Sequence, residues 1–84
     1  MTMTREELIA VFVAALDAAQ IAVETAEQTL KDNQKPDGDV FYVYRMEVSR
    51  ARGHRGQTRH LAAKLGIAYD LERAFDARRE EVPS

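Results

Sequence analysis

The sequence predicts an all-α fold: a small helical bundle with one long amino-terminal helix and two shorter helices, assembled into an oligomer. Three observations carry this expectation. From Thr4 to Asn33 there is no Gly or Pro and Ala recurs often, Ala being the strongest helix former. Apolar residues in that stretch repeat every seven positions, the period of helices packed along a seam. The chain has 84 residues and no Cys, which is one domain's length without a disulfide framework to stabilise it.

The first helix is expected over residues 5–33. Thr4-Arg5-Glu6-Glu7 reads as a capping box, in which the Thr4 hydroxyl accepts from the Glu7 N–H and Glu7 reaches back. Glu6 and Glu7 also suit the positive end of the helix dipole. The polar run Lys31 to Asp39, with Pro36 and Gly38, ends the helix and makes residues 34–39 a linker. The repeat places Ile9, Leu16, Val23 and Leu30 on one heptad position and Phe12, Ala19 and Ala26 three residues further on. These seven residues form the expected oligomer seam. Val11, Ala14, Ala18 and Ile21 make a second apolar strip outside it, so the helix calls for burial on more than one side. Residues 5–33 as one helix span about 43 Å, whereas a compact chain of this length has a diameter of roughly 30 Å. Either the rest of the chain folds back as an elongated bundle or another subunit covers the excess.

Val40 to Arg52 offers two patterns. Val-Phe-Tyr-Val-Tyr is rich in strand formers, yet Phe41, Tyr44, Val48 and Ala51 fall at helical spacing. A lone strand has no partner elsewhere in the chain and would have to pair across a dimer. A second helix over 40–52 is therefore expected, with Asp39 capping its start and Gly53 its end. Gly53-His54-Arg55-Gly56-Gln57 reads as a loop over 53–57. A third helix is expected over 58–79 with Leu61, Leu65, Ala68, Leu71 and Phe75 along one face. Gly66 either breaks this helix or permits close packing within it. Residues 1–84 make a single helical domain.

Charge separates along the chain. Residues 1–44 hold three Lys+Arg and eight Asp+Glu, net −5, and residues 45–84 hold nine and six, net +3. The positive part is concentrated in Arg45, Arg50, Arg52, Arg55, Arg59 and Lys64, and Arg binds carboxylate or phosphate through paired donors. These six residues are the expected partner- or phosphate-binding site. An equally simple reading has them answer the acidic first helix, within the molecule or across a dimer. With 45% hydrophobic and 31% charged residues and a net charge of −2, the chain has the balance of a soluble folded protein. No overall basicity advertises nucleic acid, so an acidic protein partner is favoured over it. The longest charge-free apolar run, Leu8 to Leu16, is far short of the ~20 residues of a membrane span, and an acidic start differs from a signal peptide. A cytoplasmic protein without a membrane partner is expected.

Leu61-Ala62-Ala63-Lys64-Leu65-Gly66-Ile67 resembles the first helix and turn of a helix-turn-helix DNA-binding motif. In that family an Ala packs against the second helix and a Gly makes the turn. Ala62, Gly66 and Ile67 match, and Phe75 falls on a later apolar position. Glu72 stands where a buried residue is expected, with Leu71 one residue out of register, and Asp70, Glu72 and Asp76 sit poorly beside DNA. The resemblance implies a small transcription regulator using residues 58–76, as the alternative to a non-catalytic interaction or regulatory protein. Catalysis is not expected. His54 and His60 are six apart, which is not the i, i+4 spacing of a helical metal site. There is no phosphate-binding Gly loop or nucleophile elbow, and Glu24 and Glu27 lie on the polar stripe. No catalytic residue, metal, cofactor or small-molecule substrate is expected.

Overall fold

The computed structural model describes the backbone of residues 2–33 and 38–81, and the side chains among them except at 38–41 and 81. Helix α1 spans Arg5–Asp32, α2 spans Gly38–Lys64 and α3 spans Ala68–Glu81. The fold is an all-α bundle. Helices α1 and α2 form an antiparallel hairpin, as the pairs Glu27–Arg52 and Gln20–Arg55 show. Helix α3 turns back along it, parallel to α1, from the Arg5–Asp70 pair to the Glu24–Arg79 pair. The result is elongated, 51 × 29 × 21 Å with a radius of gyration of 15.6 Å, against about 12 Å for a compact chain of this length. The long first helix is thus accommodated by a long hairpin.

The start of α1 follows the expected chemistry with one change. The Glu7 N–H donates to Thr4 Oγ1 at 3.1 Å, and the Glu7 carboxylate accepts from the Thr4 hydroxyl at 3.0 Å rather than from its backbone. The end of α1 is closed by the Asn33 N–H and side-chain amide, both donating to the Thr29 carbonyl.

The two shorter helices differ from expectation. Residues 38–64 are one helix, so the segment 40–48 is helical, but residues 53–57 are not a loop and Gly53 caps nothing. Asp39 likewise lies inside the helix rather than before it, and residues 34–37 of the expected linker lie outside the described residues. The reason is the inner face of α2. Val48, Ala51, Arg55, Thr58 and Ala62 recur at i, i+3, i+7, i+10 and i+14 and carry the helix through both glycines against α1. Thr58 is buried there, its hydroxyl satisfied by the His54 carbonyl at 3.1 Å, one turn back along the same helix.

The break comes at Gly66 instead. Its φ is +75°, the left-handed conformation that costs other residues roughly 1–2 kcal/mol. Gly66 N–H donates to Ala63 O and Ile67 N–H to Ala62 O, the paired bonds of a Schellman turn with Gly at its left-handed position. Nothing lies within 4 Å of where a Gly66 Cβ would stand, so this glycine is needed for its backbone, not for close packing. The break also resets the apolar phase. Leu61 and Leu65, expected on the core face with Leu71 and Phe75, are exposed, and Ala62 and Ile67 are buried in their place.

The core joins Val13 and Leu16 of α1 with Ala62, Ile67, Leu71 and Phe75. Of the expected oligomer seam, Leu16, Ala19 and Val23 are buried and Ile9, Phe12, Ala26 and Leu30 half-buried, all within the single chain. Those residues meet the chain's own helices, because a 28-residue α1 faces a 27-residue α2. Glycine substitutions test these assignments. Gly53→Ala and Gly56→Ala should each stabilise by about 0.5–1 kcal/mol, the helix-interior penalty of glycine, since neither Cβ would meet anything within 4 Å. Gly66→Ala should destabilise by about 1–2 kcal/mol. Urea denaturation reads all of these, and a loss of stability on Gly53→Ala would contradict a continuous α2.

Candidate functional site

The basic residues of α2 divide by face. Arg45, Arg52 and Arg59 are seven residues apart and share one edge of the helix. Arg59 Nε donates to Glu72 Oε1 of α3 at 2.7 Å, and Arg52 Nη2 to Glu27 Oε1 of α1 at 3.2 Å. Arg55, half-buried, donates to the side-chain Oε1 of Gln20 at 2.9 Å. Arg50 lies on another face, 74% exposed, with only a 3.6 Å approach to Glu47 one turn away. Lys64 is exposed in the last turn of α2. The six expected site residues therefore do not form one patch.

The reading in which the positive charge answers the acidic first helix accounts for much of the pairing. Asp17, Glu24 and Glu27 of α1 each pair with an arginine: Arg78 at 3.5 Å, Arg79 at 3.0 Å and Arg52 at 3.2 Å. Arg5 does the reverse, reaching Asp70 of α3 at 2.7 Å and the Gly66 carbonyl at 3.1 Å. One polar chain joins all three helices. Arg55 donates to Gln20, the Gln20 amide donates to Glu24 at 3.0 Å, and Arg79 donates to the same carboxylate oxygen. The Gln20 amide and the Arg79 guanidinium hold the Glu24 carboxyl below its ordinary value. Arg79 also lies over the Phe75 ring at 5.4 Å, a favourable placement for a cation.

Arg45 and Arg52 are brought together on a shallow groove of 200 Å³ between α1 and α2, lined by Glu27, Leu30, Arg45, Val48, Ser49 and Arg52. This groove lies on the same edge of α2 as Arg59, whose position is already occupied by α3. Helix α3 has only 14 residues, half the length of the hairpin, and the groove continues its seat where it ends. Arg52 is shared with Glu27 but remains 57% exposed, and among the described residues Arg45 has no ion-pair partner. The floor of Val48 and Leu30 is apolar and Ser49 offers a hydroxyl, so the groove suits a carboxylate on a short aliphatic stem. The seven-residue spacing of these arginines is visible in the sequence. Ending the second helix at Arg52 concealed it, and Ser49 and Val48 gave no separate signal.

The Glu24 cluster yields a pH prediction. A carboxyl whose folded pKa is depressed adds stability above its unfolded pKa, and that stability is lost as pH falls through the folded value. Gln at position 24 mimics the protonated acid. Glu24→Gln should therefore melt below the parent chain at pH 7, and the two melting temperatures should converge as pH falls below about 4, near the ordinary carboxylate range. Parallel melting curves across that range would remove the Glu24 carboxylate from the stability of the bundle. Comparison of the chain with protein families, with curated proteins and with solved structures gave no match.

Proposed function

We propose that this chain is a non-catalytic interaction domain of a regulatory, cytoplasmic protein that docks an acidic helix of a protein partner through Arg45 and Arg52. One observation supports the reading: the Arg45–Arg52 groove extends the seat of α3, where Arg59 already holds Glu72 of the chain's own third helix. Two more arginines at the same register offer the next positions to a partner's carboxylates. Paired Arg–carboxylate bonds are directional, and exposed charges of this kind set orientation and association rate more than affinity. Arg50 adds to the positive field nearby. Arg55 and Arg59 contribute by holding the hairpin and α3 in place rather than by touching a partner.

A second reading has one observation in its favour. Helix α2, the left-handed turn at Gly66 and α3 make a helix-turn-helix corner with Ala62, Ile67, Leu71 and Phe75 buried. The charges of α3 oppose it as a DNA-reading helix. Asp70, Glu72, Asp76, Glu80 and Glu81 outnumber Arg73, Arg78 and Arg79, and Arg78 and Arg79 are turned to α1.

Fluorescence anisotropy distinguishes the readings with two labelled probes, a helical peptide carrying Glu at seven-residue spacing and a random DNA duplex. The peptide should bind in low salt and weaken as salt rises. Arg45→Glu combined with Arg52→Gln should weaken it by about tenfold or more, the scale of a lost charge-assisted pair, while the thermal unfolding midpoint stays within a few degrees. Peptide binding that survives this double substitution would overturn the groove as the docking site. Duplex binding lost on Lys64→Ala with Arg73→Ala would support the helix-turn-helix reading instead.

A further inference from the structure

The two arginines of the docking groove are in different states. Arg45 has no ion-pair partner among the described residues. Arg52 is already engaged, its Nη2 donating to Glu27 Oε1 at 3.2 Å. Glu27 lines the groove beside Leu30, with Val48, Ser49 and both arginines contributed by α2. It stands where a partner's second carboxylate would have to come. The same track supplies the comparison. Arg59, seven residues on from Arg52, holds Glu72 of α3 at 2.7 Å. At Arg52 the acid comes from α1 instead.

The Glu27–Arg52 contact is an exchangeable one. One guanidinium nitrogen meets one carboxylate oxygen, in contrast to Arg5, whose Nε and Nη2 both donate to Asp70 Oδ2. Arginine gains strength and direction by donating two N–H bonds to one carboxylate, and among the described residues Arg52 keeps its Nε and Nη1 for another acceptor. The two side chains are 57% and 46% exposed, and pairs in contact with water contribute little. Glu24, one turn earlier on α1, is held by both Gln20 and Arg79. Glu27 has Arg52 alone among the described residues. Released from it, Glu27 returns to water and leaves no buried charge behind, which is the costly outcome when a buried pair is broken.

We propose that Glu27 is an internal competitor: it occupies the Arg52 half of the groove in the free chain and yields it to a partner's carboxylate. This rests on the docking reading above and adds an order to it. The partner's first acid meets Arg45, whose guanidinium is open, and its second exchanges with Glu27 at Arg52. The released carboxylate stays at the groove's edge and repels the incoming one. Glu27 therefore opposes a second acid twice, by holding Arg52 and by its charge. A helix with one acid escapes this opposition, and a helix with two does not. The groove is thereby kept from closing tightly on any strongly acidic helix, and association stays weak and reversible.

Fluorescence anisotropy of the full chain tests this at about 0.15 M salt, where screening confines charge effects to about 8 Å. Two labelled helical peptides are needed, one with two Glu at seven-residue spacing and one with the second Glu replaced by Gln. Glu27→Gln should tighten the two-Glu peptide about threefold to fivefold, the scale of an exposed ion pair, and leave the one-Glu peptide within about twofold. Glu47→Gln is the control, an equal change of net charge on the far side of α2. Glu47 lines a second groove, of 310 Å³, with Ala22, Thr25, Ala26, Thr29 and Tyr44, and stands roughly 160° round the helix from Arg45. It should leave both peptides within about twofold. Equal tightening of both peptides by Glu27→Gln, or equal tightening by the two variants, would reduce the effect to net charge and overturn the proposal. So would an unchanged two-Glu affinity in a chain that binds that peptide and loses it on Arg45→Glu with Arg52→Gln, and the docking reading would then stand without the competitor. If neither peptide binds the parent chain or Glu27→Gln, both readings fall.

Discussion

The left-handed backbone at Gly66 is the constraint from which the rest of the architecture follows. Helix α2 runs through two glycines without interruption, so neither of them reverses the chain. Among the described residues only Gly66 has a positive φ, which allows two amide bonds to close the helix and send the chain back. That reversal brings Ile67, Leu71 and Phe75 against Leu16 and Ala62 and so makes the core. Arg5 then fastens the turn from outside through the Gly66 carbonyl and Asp70. Where α3 begins also determines where it ends, hence which part of the hairpin it leaves open.

Electrostatics organise the covered side. Asp17, Glu24 and Glu27 of α1 face arginines of α2 and α3, and the Arg55–Gln20–Glu24–Arg79 chain ties the three helices at one level. Each of these pairs is partly solvent-exposed, and such pairs contribute modestly one by one, about 0–1 kcal/mol. Their effect is on register: an α3 slid by one turn along the hairpin would lose Asp17–Arg78, Glu24–Arg79 and Glu72–Arg59 together. The cluster of positive charge in the middle of the sequence is thereby divided. Most of it holds the bundle, Arg52 through Glu27 included, while Arg45 stands at the open end of the same track with no ion-pair partner among the described residues.

The two sides of the hairpin are chemically different surfaces. One bears α3 and then a groove edged by arginine over Val48 and Leu30. The other is apolar, built largely from small side chains, and has Glu47 as the single charge lining its groove. One side of the hairpin is thus charged and directional, the other apolar and made of small side chains.

What was legible in the sequence was local. The absence of Gly and Pro, the Thr4 cap and the Asn33 stop determined α1 nearly to the residue, because those signals act within one or two turns. The seven-residue apolar repeat correctly marked Leu16, Ala19 and Val23 for burial but not the surface that would bury them. The acidic first half and basic second half announced pairing, not which arginines would pair. Tertiary structure decided the rest. Gly53 and Gly56 look like a loop when read alone, yet packing of Ala51, Arg55, Thr58 and Ala62 on α1 outweighs a helix penalty of about 1 kcal/mol at each glycine. At Gly66, by contrast, Ala62 and Ile67 are buried across the turn and Arg5 holds its carbonyl. Propensity is summed over neighbours along the chain, whereas the choice among three similar glycines rests on contacts between residues far apart in it.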